Sequence, residues 1–266
     1  MNVRCQLLFA ILLLSACVTE APAPDPMRDG GLLWVKHSAE YRAITEQVYA
    51  EATRDLPRFI EDTSWSVIPW QDDADDLPVA VILDVDETVV SHIDFQLTFE
   101  RPFENWKLDE WVRGTDATPV HGVKQFVEAA RAAGVTVFFV TNRPCEPRDG
   151  IDDPCPQRQS TIDDINEVGI SADAEHVFLS EERGWNREKS TRRNYIAQTH
   201  RVVILIGDDL GDFLPCARTK PYAPCTNNAT AADRMTMVEQ HSHLWGNGWY
   251  ILPNPMHGSW TSAIPQ

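Results

Sequence analysis

Basic side chains are the first shortage of this sequence. Its 266 residues carry 23 lysines and arginines against 40 acids, a formal net charge of −17. Sequence-independent binding of a nucleic-acid polymer needs the opposite sign, so no such partner is expected. Long apolar runs are missing too. "LLFAILLLSA", which follows Arg4, is about ten residues long, too short to span a bilayer. There is no GxSxG elbow and no His-Glu-x-x-His pair, which removes the usual signatures of a serine hydrolase or a zinc protease. No internal repeat and no second composition regime occur. With 43% hydrophobic residues, the chain can bury one sizeable core.

What the N-terminus does have is an address. A basic residue, a short apolar run and then Cys17 form the layout of an export signal. "LSAC", residues 14–17, resembles the lipobox of bacterial lipoproteins, in which cleavage leaves the cysteine lipidated. Val18 in the next position resembles the pattern sorted to the outer membrane. The expectation is a signal peptide at 1–16, a lipidated tether at 17–31 and one domain at 32–266. The chain would be exported and held by lipid alone at the outer membrane or periplasmic face. Cysteines are few, and Cys5 and Cys17 belong to the signal and the lipid. Cys145, Cys155, Cys216 and Cys225 remain, an even number suited to an oxidising compartment. Three pairings are open; the local one, Cys145–Cys155 with Cys216–Cys225, closes two short loops and is expected. The spacings are not those of a zinc finger or ribbon.

"WVKHSAEYRAITEQVYAEATRDL" has apolar residues at helical spacing and predicts one long amphipathic helix. Four β-rich runs follow, at 79–85, 135–143, 176–180 and 201–209, with helical patterns between them. Strands alternating with helices predict an α/β fold, a parallel sheet covered on both faces. In such sheets ligands bind beyond the carboxyl ends of the strands. The first run, "VAVILDVDETVV", ends in Asp84, Asp86 and Glu87; the second ends in Thr141, Asn142 and Arg143. The fourth ends in Gly207, Asp208 and Asp209, with Asp212 a turn further on. Carboxylates gathered at one point repel unless a hard divalent cation such as Mg²⁺ joins them. Lys189, after the third run, is placed to meet the phosphate such a site would take.

"DVDET" matches the Asp-x-Asp-x-Thr motif of the haloacid dehalogenase-like phosphotransferases, and Thr141, Lys189 and "GDDLGD" follow in the order of that superfamily's other motifs. "SAEYRAITEQVYAEA", "ENWKLDEWV", "GDDLGDF" and "ILPNPMHGSW" resemble the class C lipoprotein acid phosphatases, the bacterial 5′-nucleotidase-like branch, from about residue 32 to the C-terminus. The resemblance implies a Rossmann-like sheet with a small, mainly helical, cap-like insertion after strand one. It implies an Mg²⁺-dependent acid phosphatase acting on phosphomonoesters, nucleoside 5′-monophosphates above all.

It also implies roles. Asp84 would attack phosphorus as a covalent nucleophile. Asp86, with a raised pKa, would protonate the leaving alcohol and then activate water. Thr141 would hydrogen-bond the phosphoryl group, with Asn142 beside it as a substrate contact, and Lys189 would offset its charge. Asp84, the Asp86 backbone carbonyl and Asp208 would hold the metal, with Asp212 behind them or as an alternate ligand. In similar enzymes two aromatic rings pinch the base. Phe103 holds one of these positions and His257 stands where the other is tyrosine.

Asp209 is expected to face outward, the alternative being added repulsion at the metal. Arg187, Arg192 and Arg193 neighbour Lys189, and a basic helix face is ordinarily solvated, but "REKSTRR" resembles the family's Ser-x-Lys-x-x-Arg region and favours Lys189. Trp106 and Trp111 are expected to pack within the insertion. Two other functions fit the same residues: a phosphate- or nucleotide-binding lipoprotein without catalysis, and phosphotransfer to an acceptor alcohol. Homo-oligomerisation is left open by the sequence.

Overall fold

The computed structural model describes residues 26–99, 102–114 and 117–264. The signal segment and Cys17 lie outside the described residues. No described helix is long and apolar enough to cross a membrane.

The chain enters through helices α1 (Pro26–His37) and α2 (Ala39–Glu61) and then strand β1 (Val79–Leu83). A segment of β2 (Val90–Ser91), α3 (Ile93–Thr98), α4 (Asn105–Val112) and β3 (Thr118–Pro119) follows. Helix α5 (Val123–Ala132), strand β4 (Thr136–Pro144), helix α6 (Pro156–Glu167) and strand β5 (Val177–Ser180) come next. The chain closes with α7 (Ser190–Ile196), β6 (Arg201–Gly207), α8 (Ala231–Gln240) and β7 (Trp249–Ile251). The five long-range strands form one parallel sheet in the order β5-β4-β1-β6-β7. β1 lies at its centre, with Leu83 in register with Phe139 on one side and Ile206 on the other.

Alternation along the strands feeds two cores. Val81, Leu83, Val137, Phe139, Ile204 and Ile206 face α2, α5 and α6, while Ala80, Ile82, Phe138, Val140, Val202 and Leu205 face the other way. That double burial is why the strands read as unbroken apolar runs. The α/β expectation holds, with a fifth strand added. β7 is three residues, "WYI", too short to show a period in the sequence.

The expected single long helix is two. Ser38 sits in extended backbone between α1 and α2, and its Oγ accepts a hydrogen bond from the Tyr41 amide at 3.0 Å. A serine that can satisfy a free N–H in this way starts a new helix more readily than it continues an old one. Buried Tyr49 of α2 then donates its hydroxyl to the Thr88 carbonyl at 2.7 Å, tying the helix to the loop that follows β1.

Candidate active site

The three acids after β1 do three different jobs. Asp84 extends the sheet by one more bond, its amide donating to the Ile206 carbonyl at 3.0 Å, and its side chain is 7% exposed. Val85 turns inward, and its carbonyl accepts from Thr88, Val89 and Val90, winding the chain into a tight loop. Glu87 occupies the left-handed region at φ 63°, which costs energy for a residue with a Cβ. Its buried carboxylate accepts from the His92 amide at 2.8 Å and the Ser91 hydroxyl at 3.0 Å, so it braces the loop. Asp86 faces the end of β4.

The end of β6 supplies the other half. Asp212 folds back through one 3₁₀ turn, and its Oδ2 accepts from the Asp208 amide at 3.1 Å and the Asp209 amide at 2.9 Å. A Cβ on Gly207 would stand 2.3 Å from that same oxygen, so only glycine leaves room for it. Asp84, Asp208 and Asp212 each offer an oxygen, and these oxygens lie within 4.8 Å of one another. Lys189 donates to Asp84 Oδ1 and, at 2.6 Å, to Asp212 Oδ1. Thr88 reaches Asp84 again and the remaining acid, with Oγ1 at 3.3 Å from Asp84 Oδ2 and 3.4 Å from Asp208 Oδ1.

Burial pushes the Asp84 carboxyl up to about 6 despite the pull of Lys189, with Asp212 and Asp86 adding repulsion. Burial and the neighbouring Asp84 and Asp212 raise Asp208 well above the usual carboxylate range, although the Asn254 amide donates to its Oδ2 at 2.6 Å. One ammonium among three clustered acids, Asp84 and Asp212 buried and Asp208 half-buried, leaves negative charge in excess. An all-oxygen donor set with unmet charge fits a hard divalent cation.

Asp86 departs from expectation. Burial works against its ionised form, but the Arg143 guanidinium and His92 outweigh it and hold the carboxyl well below its ordinary range. Arg143 reaches Asp86 Oδ1 at 2.8 Å through Nη2 and 3.0 Å through Nε, and His92 Nδ1 lies 3.1 Å away. Asp164 of α6 closes the network, accepting from Arg143 and lying 3.4 Å from His92 Nε2. The raised pKa expected for an acid catalyst is not a property of Asp86 in this geometry. Thr141 belongs to the same cluster. Fully buried, its hydroxyl donates to Asp86 Oδ2 and accepts from the Arg143 amide, both at 3.1 Å. Asn142 lines the cavity instead, its Oδ1 accepting from Arg192 at 2.6 Å.

That cavity measures about 700 Å³, and Asp84, Asp86, Lys189 and Asp208 stand on its wall. Phe103 and His257 line it as well, 47% exposed for Phe103 and partly exposed for His257. The disulfides flank it: Cys145–Cys155 ties the end of β4 to the start of α6, and Cys216–Cys225 closes the loop after Asp212.

Three further expectations need correcting. Asp209 turns inward: its Oδ1 caps Gly211 at 2.9 Å, and Ser259, far along the chain, donates to it through amide and hydroxyl. Arg192 and Arg193 are buried. Arg192 donates to the Thr141 carbonyl, and Arg193 to the carbonyls of Gly211 and Phe213 at 3.0 Å each. Trp106 is 57% exposed and packs little, whereas Trp111 meets His92 edge-on at 5.5 Å.

A family model for the HAD superfamily, subfamily IIIB (acid phosphatase), matches residues 32–260. Among solved structures, the class C acid phosphatase from Bacillus anthracis is similar over 89% of this chain and 87% of its own, at 24% identity and a TM-score of 0.70. The same enzyme with tungstate bound gives the same values. That likeness speaks for the fold, and the family model, spanning the described core and both acidic strand ends, speaks for the chemistry. The chain belongs to the subfamily IIIB acid phosphatases of the HAD superfamily, which are phosphomonoesterases.

Proposed function

We propose that the protein hydrolyses phosphomonoesters, nucleoside 5′-monophosphates among them, through a phosphoryl group carried on Asp84. The observation that carries this is the setting of Asp84: a buried carboxylate at the cavity wall, gripped by Lys189 and Thr88 and faced by Asp208 and Asp212. Held at both oxygens, it cannot swing away from an arriving phosphorus.

In the first half of the reaction an Asp84 oxygen bonds to phosphorus, the ester P–O bond breaks, and the leaving alkoxide takes a proton. In the second half water attacks phosphorus, loses a proton to Asp86, and the Asp84–phosphorus linkage breaks to give inorganic phosphate. Asp86 as it stands, ionised on Arg143, is ready for the second half. For the first half it must be protonated, and negative charge arriving on a bound phosphoryl group shifts it that way. Lys189 offsets charge on the same group. Thr141 positions Asp86 and Arg143, and its carbonyl and Asn142 are fixed by Arg192. Asp84, Asp208, Asp212 and the Asp86 carbonyl are the residues that would hold Mg²⁺, which would neutralise the acids and polarise phosphoryl oxygens. Export and lipid anchoring through Cys17 complete the reading, supported by two disulfides of a kind that persist in oxidising compartments.

The test is phosphate release from adenosine 5′-monophosphate and p-nitrophenyl phosphate near pH 5.5, with Mg²⁺ or chelator. Turnover lost with chelator and restored by Mg²⁺ is expected. A folded, Mg²⁺-replete protein silent on both substrates would instead be a binding protein. If Phe103 stacks a base, Phe103→Ala should raise KM for adenosine 5′-monophosphate relative to glycerol 2-phosphate by about 10-fold; equal effects on both would remove the base contact. Gly207→Ala should lower kcat by about 10²-fold by displacing Asp212 from the two amides it holds. Wild-type kinetics in that variant would mean Asp212 has another way to sit.

A further inference from the structure

The cavity has a second character that the phosphoryl site does not use. Arg187, Arg218 and Lys220 all line it, in a chain whose net charge is −17. None of the three makes an ion pair with a described residue, although acids are plentiful and Arg187 and Arg218 are half-buried. The acids sharing the wall are already engaged. Asp109 pairs with Arg148. Asp209, a carboxylate that Arg218 helps to hold ionised, is taken by the Gly211 amide and by Ser259.

The segment bearing Arg218 and Lys220 is also built to stay in place. Its ends are joined by Cys216–Cys225, the Ala229 amide donates to the Arg218 carbonyl at 3.0 Å, and the neighbouring Ala217 carbonyl accepts from Arg234. Buried Glu188, the residue before Lys189, accepts from the Cys216 amide at 3.2 Å. Unpaired guanidinium and ammonium groups, held on a fixed loop at the wall of a cavity, are a recognition surface for an anion. A solvated basic face would not need that anchoring.

Resting on the phosphatase reading above, we propose that Arg187, Arg218 and Lys220 form a second anion subsite, and that the enzyme favours phosphomonoesters whose leaving group carries a further phosphate. The scissile phosphoryl group sits on Asp84 and Lys189 while the second phosphate lies against the disulfide-closed loop. Phe99, Phe103 and Leu108, which line the same cavity, cover whatever joins the two.

The probe is adenosine 3′,5′-bisphosphate against adenosine 5′-monophosphate, each measured as kcat/KM in wild type and in Arg218→Gln/Lys220→Gln. Wild type should favour the bisphosphate by about 10- to 100-fold, the ordinary worth of one or two charge-assisted hydrogen bonds. The double variant should bring the ratio close to one. Because the readout is a ratio within one protein, loss of folded material does not mimic the result. Equal kcat/KM for the two nucleotides in wild type, or a preference that survives the double substitution, would overturn the subsite and leave the phosphatase reading standing. Failure of wild type to release phosphate from p-nitrophenyl phosphate would overturn both.

Discussion

Asp84→Asn should reduce phosphate release to background, a loss on the order of 10⁴-fold or more, in a protein at least as stable as wild type. An amide fills the same space and can still accept from Lys189, but it cannot serve as the nucleophile. The stability half of the expectation comes from charge. Burial and the neighbouring acids already push Asp84 up to about 6 and Asp208 well above the usual range, so the cluster repels itself in the folded protein. Removing one member relieves that repulsion. Sites that store strain for chemistry commonly gain stability when the chemistry is removed. Thermal melting without metal beside a phosphate-release assay reads both halves. A variant that keeps most of its activity would mean another group attacks phosphorus.

Arg143→Met should destabilise the protein by about 3–5 kcal/mol, the usual result of removing one partner from a buried ion pair. Arg143 is 8% exposed and serves Asp86, Asp164 and the Thr161 hydroxyl at once. Without it two carboxylates face each other across His92 alone. Adding Asp164→Asn to Arg143→Met should recover part of the loss, since the orphaned charge is then neutral. Urea unfolding of wild type and the two variants measures this. A loss below about 1 kcal/mol would place Arg143 with exposed ion pairs, which contribute little.

The sequence displayed the centre of the site because its physics is local. An apolar run buried on both faces and ended by acids marks a strand tip opening on a polar site, and β1 and β6 both have that form. Asp84, Lys189, Asp208 and Asp212 come together as the motif order implies. The surrounding network was hidden because its partners are distant in sequence. Asp164 lies in "STIDDINEVG", where an acid on a helix reads as solvated; Arg143, 21 residues earlier, and His92, further back still, make its burial tolerable. Asp209 reads as a spare acid until Ser259, 50 residues on, returns to it. Arg192 and Arg193 likewise look solvated until the carbonyls they serve are seen. The break at Ser38 was legible in principle, since a serine followed by a fresh helical pattern is a capping signal. β7 was not, because three residues carry no period.

The most direct measurement concerns Asp84 itself. Asp86→Asn would be mixed with p-nitrophenyl phosphate and Mg²⁺, quenched in acid within one turnover, and its peptides weighed. Nitrophenolate leaves without needing a proton, so the first half of the reaction proceeds, while the second half lacks its base. The peptide bearing Asp84 should gain the mass of one phosphoryl group, and the gain should vanish in Asp84→Asn/Asp86→Asn. Release of nitrophenolate with no added mass on that peptide at any quench time would mean that water attacks the substrate directly and that Asp84 is not the nucleophile.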